Sequence, residues 1–430
     1  VLERHTIPIG EVYSGMYDGP HATPNPSESG PIFLGIKNVG ESGQLDFSDV
    51  RHISEEEYSR WVRRIEPKYG DIVFSYEATL NRYAMIPKGF RGCLGRRMAL
   101  IRPDESKACG RFLYYYFYGH EWRNVIAQNT LVGSTVDRIP IAKFPDFPVN
   151  IPSLPTQRKI AAILSAYDDL IENNLRRIRI LADMVQNLYR EWFVKLRFPG
   201  SETCHFVDSP IGRIPEGWTV TPIVGIGELT VGGDWGAGES SGPDSVQAAC
   251  LRGVDLHNLQ TTGEGEPVVR WVSKSSLAKR CVLPTDVVVE GSGECGRSLH
   301  GYRGLEDSLG YTVIYSNFCK RLRFGKPAIA QYVAQVLNEM VETGAIRQYR
   351  TGTAIPNLNV TALVEKHLLL LPPEELLAQF DELAGLAEGF RLRGHNRSLR
   401  RTRDLLLPRL ISGELDVSEL DIAVPEEAGA

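Results

Sequence analysis

From Ile160 onward, apolar residues return at every fourth and third position in turn: Ile160, Leu164, Tyr167, Ile171, Asn174, Ile178, Leu181, Val185, Leu188 and Trp192. Nine of these ten are apolar. An alternation held that long predicts a coiled-coil seam; the alternative is an ordinary long core helix. Ser153 and Pro155 suit a helix start, because proline costs nothing where the first N–H has no partner. Pro199-Gly200 ends the segment. A helix over 155–196 would span roughly 63 Å at about 1.5 Å per residue. The one polar seam residue, Asn174, is placed to fix register against a partner helix.

A second, less regular pattern runs near the end of the chain. Leu376, Phe380, Leu383, Ala387 and Phe390 keep the 4-3 spacing, and Leu392, Asn396, Leu399, Arg403, Leu406 and Leu410 continue it in a shifted register. Gly389 and Gly394 flank the slip, and Pro408 marks the expected end, within a turn. Tyr189, Phe193 and the Leu405–Leu407 run are expected to be left for partners, so the isolated chain should aggregate.

The intervening regions read as mixed strands and helices. In the first, 31–39 reads as a strand and its exit, 70–75 and 93–103 as strands, and 110–128 as a helix. The aromatic run within it, Phe112 to Tyr118, suits core packing better than stacking on bases. The second region repeats this order. LRGVDL (251–256) answers LGIKNV (34–39), and TDVVVE (285–290) answers GDIVFS (70–75). The helix 327–341 answers 110–128, TGTAIPNLNV (351–360) answers VGSTVDRIPI (132–141), and 368–383 answers 149–164. The chain therefore reads as a tandem duplication. The fold class is α+β: two similar α/β domains separated by two long helices that pair as an antiparallel coiled coil, with a pseudo-two-fold axis. The expected boundaries are 1–152 and 201–371 for the globular domains, 153–200 and 372–412 for the helices, and 413–430 for an acidic tail.

At 430 residues the chain is too long for one compact core. No apolar run is long enough to span a membrane, and no charged-then-apolar leader opens the chain, which begins at Val1. Its seven cysteines form no CxxC pair, and their odd number predicts reduced thiols in a cytoplasm. The net charge of −5 hides local basic clusters. Residues 413–430 hold six carboxylates and no basic group; without them the chain is +1. Residues 81–111 hold eight basic side chains, and 391–409 hold seven arginines. Such patches, rather than net charge, are what a DNA-binding surface needs.

Motifs in this order carry a family resemblance: LPTQRKIAAILSAYDDLIENN (154–174), LYREWF (188–193), GDIVFS, PEGWTV (215–220) and RDLLLPRLISGEL (403–415). The chain resembles the DNA-specificity subunit of type I restriction-modification systems along nearly its whole length. The resemblance implies two target-recognition domains, each reading one half of a split double-stranded DNA site, joined by helices that set the spacing. It also implies docking of two modification (methyltransferase) subunits, with restriction subunits joining them. S-adenosylmethionine, ATP and Mg are expected on those partners and not on this chain, which is expected to be non-catalytic. One departure is that VLERHTIPIGEV stands where the second half has PEGWTV. The alternative reading is a coiled-coil scaffold that binds no DNA.

Catalytic motifs are missing from the sequence. Residues 291–296 fit GxGxxG, but no helical pattern follows, so they read as a loop between strands opposite 76–82 of the first half. No P-loop, HExxH pair or Asn/Asp-Pro-Pro-aromatic tetrad occurs. Base readers are long donors and amides on loops, while Lys, Ser and Thr suit phosphates. On that basis the candidates in the first half are Lys37, Asn38, Arg82, Arg91, Arg96, Arg97, Ser134 and Thr135. In the second half they are Arg252, Arg297, Arg303, Arg350, Thr351 and Thr353.

Overall fold

A computed structural model describes residues 3–41, 43–133, 136–230, 232–261, 265–302, 304–352, 356–387 and 389–425. The chain folds as two compact units, residues 1–169 with 400–430 and residues 170–399. Mixed helices and sheets make the fold α+β.

In the first unit, a four-stranded antiparallel sheet has the order Tyr13–Asp18, Met98–Pro103, Ile72–Ser75, Tyr83–Met85. A smaller sheet pairs Ser27–Leu34 with Arg51–His52 antiparallel and with Gly92–Leu94 parallel. Arg4–Pro8 pairs with Pro148–Pro152 at the entry to the long helix. Residues 93–103 are thus two strands, not one. The turn between them puts Arg97 in the left-handed region (φ 75°), and Met98 N–H donates to the Gly95 carbonyl at 3.2 Å. The helical run 110–128 is likewise two helices, Gly110–Tyr116 and His120–Asn129. Phe112, Tyr116, Phe117 and Trp122 are at most 1% exposed and pack on Phe74, Tyr83 and Phe144. The aromatic run is mostly core, with Tyr114 and Tyr118 half-buried.

The second unit repeats these sheets strand for strand. Its four-stranded sheet is Gly227–Thr230, Cys319–Phe324, Asp286–Glu290, Ser298–His300. Its three-stranded sheet pairs Ser245–Leu251 antiparallel with Val268–Ser273 and parallel with Val313–Tyr315. Thr219–Pro222 pairs with Leu368–Leu371, as Arg4–Pro8 does with Pro148–Pro152.

The repetition reaches individual side chains. Asp71 is 2% exposed and takes two hydrogen bonds of 2.7 Å from Arg102; Asp286 is 0% exposed and takes 2.6 and 2.7 Å bonds from Arg323. Each aspartate also accepts from a backbone N–H, that of Lys68 or Leu283. Bidentate, fully hydrogen-bonded pairs of this kind stay tolerable in a buried site, because each carboxylate keeps several donors. Ser54 and Ser273 cap the matching helices Glu55–Trp61 and Lys274–Arg280 by accepting from the N3 N–H.

Two long helical stretches complete the fold. The first is Leu154–Tyr189, running into a π turn at Arg190–Val194. The second is Glu374–Ala387 followed by Phe390–Ser412, with Pro408 inside its last turns. Gly389 lies at the break between them, where a Cβ would come within 2.7 Å of Ile178. In the first unit, Ile160 and Leu164 pack with Leu410 and Ile411. Arg403, a seam position, bonds Asp168 at 2.5 Å, and Asp168 also accepts from Tyr115. In the second unit, Ile171, Leu175 and Ile178 meet Leu392 and Leu399, while Val185 and Trp192 join Phe380 and Ala384. Across the seam, Asn174 Nδ2 donates to Asn396 Oδ1 at 2.8 Å, and Asn396 Nδ2 donates to the Ile171 carbonyl. The order of these contacts makes the helices antiparallel. Tyr167, Leu181 and Leu188 are only half-buried.

One expectation needs correction. Tyr189 and Phe193 are not left for partners: they are 5% and 6% exposed, held in the second unit's core with Tyr332 and Phe380. Only Leu405, 63% exposed, fits that expectation, since Leu406 and Leu407 pack on the first unit's core. Residues 413–425 pack on the first unit. Val417 is buried, and Lys159 Nζ donates to the Ser418 carbonyl.

Candidate nucleic-acid interface

The same pair of loops meets in each unit. In the first, the hairpin loop 76–82 joins the strands Ile72–Ser75 and Tyr83–Met85. It docks on the segment 131–139: Ala78 N–H donates to the Asp137 carbonyl at 2.9 Å, and Ile139 N–H to the Tyr76 carbonyl at 2.7 Å. In the second, the loop 291–297 joins Asp286–Glu290 and Ser298–His300. Gly293 N–H donates to the Pro356 carbonyl at 3.1 Å, and Leu358 N–H to the Gly291 carbonyl at 2.8 Å.

These loops hold unusual backbone. Five non-glycine residues among those described have left-handed φ, and four belong to or adjoin the two loops: Ala78, Asn81, Arg97 and Cys295. Such conformations persist only where the surroundings over-determine them, and they collect at ligand-binding sites. Glu290, at the foot of the second loop, is 6% exposed, and its Oε2 has no hydrogen-bond partner. Burial raises its carboxyl above the usual range. Burial likewise raises the Cys295 thiol.

The candidate readers divide by place. Arg82 bonds Glu41 at 2.7 Å, and Arg97 lies 3.4 Å from Glu77 with its own carbonyl taken by Tyr76 N–H. Both therefore flank the first loop. Arg297 sits 3.8 Å from Glu294, Arg350 donates to the carbonyls of Glu294 and Cys295, and Thr351 donates to the Asn357 carbonyl. These three surround the second loop, with Arg350 acting as its clamp. Arg252 grips Asp255 through two bonds of 2.8 and 2.9 Å, beside Gly253, which abuts the Glu290 carboxyl.

The other candidates lie elsewhere or do other work. Asn38 is 2% exposed; its Oδ1 accepts from Gly35 N–H, and its Nδ2 donates to the carbonyls of Asp46 and Asp49. That uses its polar atoms in building a turn, so it is a structural residue. Arg91 is held by Glu55 and stacked 4.8 Å from the Tyr58 ring, on the smaller sheet rather than at the loops. Lys37 pairs with Asp49, and Arg96 is exposed with no ion-pair partner among the described residues. Ser134, Thr135, Arg303 and Thr353 lie outside the described residues. Sequence reasoning missed Arg138, exposed and bridged to Glu77 across the two loops. Its signal was its place in VDRIPI (136–141), the segment that IPNLNV (355–360) answers.

The acids paired with these cations are mostly well exposed: Glu41 87%, Asp49 82% and Glu294 65%. Exposed pairs are each worth about 0–1 kcal/mol, so phosphate oxygens can replace such acids at little cost. Among the described residues, no group of three or more His, Cys, Asp or Glu is arranged to hold a metal ion. No helix is long and apolar enough to cross a membrane among the residues described.

A family model, the type I restriction modification DNA specificity domain, matches residues 57–180. Over that segment the chain is similar to the type I restriction-modification DNA-specificity domain. One relative, the Type I restriction enzyme MjaIX specificity subunit of Methanocaldococcus jannaschii, is 24% identical over 385 residues, covering 86% of this chain and 83% of that protein. The HindI specificity subunit of Haemophilus influenzae is 27% identical over 427 residues, covering 81% and 87%. The crystal structure of a type I S subunit from M. genitalium shares the fold, with a TM-score of 0.54 at 12% identity over 95% of this chain and 96% of that one.

Proposed function

We propose that the chain is the specificity subunit of a type I restriction-modification complex, each globular unit reading one half of a bipartite duplex site. The supporting observation is the recurrence, in both units, of a left-handed hairpin loop docked on a polar second loop and flanked by arginines. Strained, scaffold-held loops are what base reading requires, and repeated loops suit two half-sites. In this reading the paired helices set the distance between half-sites and present surface to two modification subunits. Methyl transfer from S-adenosylmethionine, and ATP- and Mg-dependent cleavage with restriction subunits, belong to those partners. This chain positions them and carries out no chemistry.

The test is binding of the full chain, with its modification subunits, to duplex DNA across a salt series. Affinity should fall steeply with salt as phosphate contacts release counterions. Arg82→Ala and Arg297→Ala should weaken binding and flatten that slope. Salt-independent or absent binding would favour a scaffold that binds no DNA.

A further inference from the structure

A turn of the second unit, 316–319, carries the most exposed aromatic ring among the described residues: Phe318, 67% exposed. The turn joins the strands Val313–Tyr315 and Cys319–Phe324 and is pinned at both ends. Ser316 and Cys319 are 1% and 0% exposed. Ser316 N–H donates to the Leu251 carbonyl and Cys319 N–H to the Ser316 carbonyl, both at 2.9 Å. Asn317 and Phe318 are left exposed at the tip. The Phe318 carbonyl accepts from Gly291 N–H at 2.8 Å, so the turn abuts the start of the loop 291–297. An anchored backbone therefore keeps an apolar ring in water beside that loop.

The first unit builds the same turn around a different side chain. There Met98 N–H donates to the Gly95 carbonyl at 3.2 Å, and the Arg97 carbonyl accepts from Tyr76 N–H at 3.1 Å. Strand pairing gives the same register, with Ser75 opposite Met98 and Glu290 opposite Cys319. Phe318 therefore occupies the place of Arg97. At that place one unit offers a guanidinium rich in N–H donors and the other a ring with none. Single exposed apolar residues are common and by themselves mean little. This one stands among cations. A Cβ at Gly291 would lie 3.4 Å from the Lys320 side chain, whose Nζ is 3.5 Å from the Asn317 carbonyl. The adjoining loop carries Arg297 and is clamped by Arg350. An exposed ring beside cations is the combination that holds nucleic acid, the ring against bases and the charges near phosphates.

We propose that Phe318 is a specificity-determining residue of the second unit, its ring making apolar contact with a base of the half-site which that unit reads. The inference rests on the proposed reading of duplex DNA. A phenyl ring has no hydrogen-bonding edge, so it recognises a base only through apolar surface. That surface is either the 5-methyl group of a thymine in the major groove or the face of a base at a partly unstacked step. With Arg97 at the equivalent place, the two units read their half-sites differently at this contact. The rival for the ring is the surface of a protein partner.

The experiment uses the full chain with its modification subunits and a duplex carrying its mapped methylation site. Phe318→Ala should weaken binding roughly 5- to 100-fold, the range for losing one aromatic–base contact. Phe318→Tyr, which keeps the ring, should bind nearly as the wild type does. In one arm, deoxyuridine replaces each thymine of the site in turn. A position that weakens the wild type and leaves Phe318→Ala unaffected identifies a methyl contact. In the other arm, 2-aminopurine is scanned through the site. A fluorescence rise that Phe318→Ala abolishes identifies an unstacked base. A response in either arm supports the proposal. Wild-type affinity in Phe318→Ala, or weakened binding with neither arm responding, would overturn it. So would a Phe318→Ala chain that no longer co-elutes with the modification subunits in the absence of DNA, since the ring then belongs to a protein contact. If Arg297→Ala weakens binding and Phe318→Ala does not, this inference fails while the proposed function stands; a wild type that binds no duplex removes both.

Discussion

Replacing Asn174 with leucine tests whether the antiparallel pairing of the helices depends on a buried amide pair. Asn174 is 9% exposed and Asn396 1%, and the 2.8 Å bond between them satisfies Asn396 Oδ1. Asn174→Leu would leave that oxygen buried without a donor, costing about 1–3 kcal/mol. Asn396→Leu should cost a similar amount by stranding the Asn174 amide. The double leucine variant strands fewer groups and extends the apolar contact of Ile171 and Ile178 with Leu392 and Leu399. It should therefore be close to wild type or more stable, with register less firmly fixed. The assay is amide hydrogen exchange over 171–178 and 392–399 in all four proteins, which reads local opening free energy. Independent sites add to within about 0.5 kcal/mol. Additive losses in the double variant would refute the amide pair as a coupled register lock.

Two further outcomes are expected. Glu290 has its carboxyl pKa raised by burial, so its charged form opposes folding at neutral pH, and that cost disappears as pH falls through the raised value. Glu290→Gln should raise the melting temperature at pH 8 and lose the advantage near pH 4, measured by scanning calorimetry; a destabilised variant at pH 8 would show the charge to be needed. A heptad inserted in each long helix, after Asn174 and near Asn396, keeps the seam facing its partner. It adds about 10.5 Å at about 1.5 Å per residue. With about 3.4 Å per base pair, the methylated half-sites should move apart by roughly three base pairs and bind less tightly, because the groove also turns by about 100°. An unchanged spacer would leave the helices as a docking platform only.

Much of this architecture was legible in the chain because it rests on periodicity. The seam positions from Ile160 to Trp192 are mostly buried, and the repeat visible in GDIVFS and TDVVVE marks equivalent central strands. What periodicity cannot show is where apolar side chains off the seam find cover. Tyr189 and Phe193 look unpartnered along the helix, yet helix Pro327–Glu342, distant in sequence, covers them. The Gly-Asp and Thr-Asp pairs read as turn formers, and only the fold shows Asp71 and Asp286 gripped by Arg102 and Arg323. Asn38 had the right residue type and loop position for a base reader, but its amide is consumed by its own turn. Donor chemistry in a sequence does not reveal which donors are already engaged, and that is why the candidate site was only partly legible.

The most direct measurement of the central claim is an exchange of residues 201–371 for the equivalent domain of another specificity subunit. The hybrid is then purified with its modification subunits, and its methylated adenines are mapped. Independent reading predicts a split site in which one half changes to that of the donor while the other half and the spacer length stay as they were. Change in both halves, or in neither, would contradict the account.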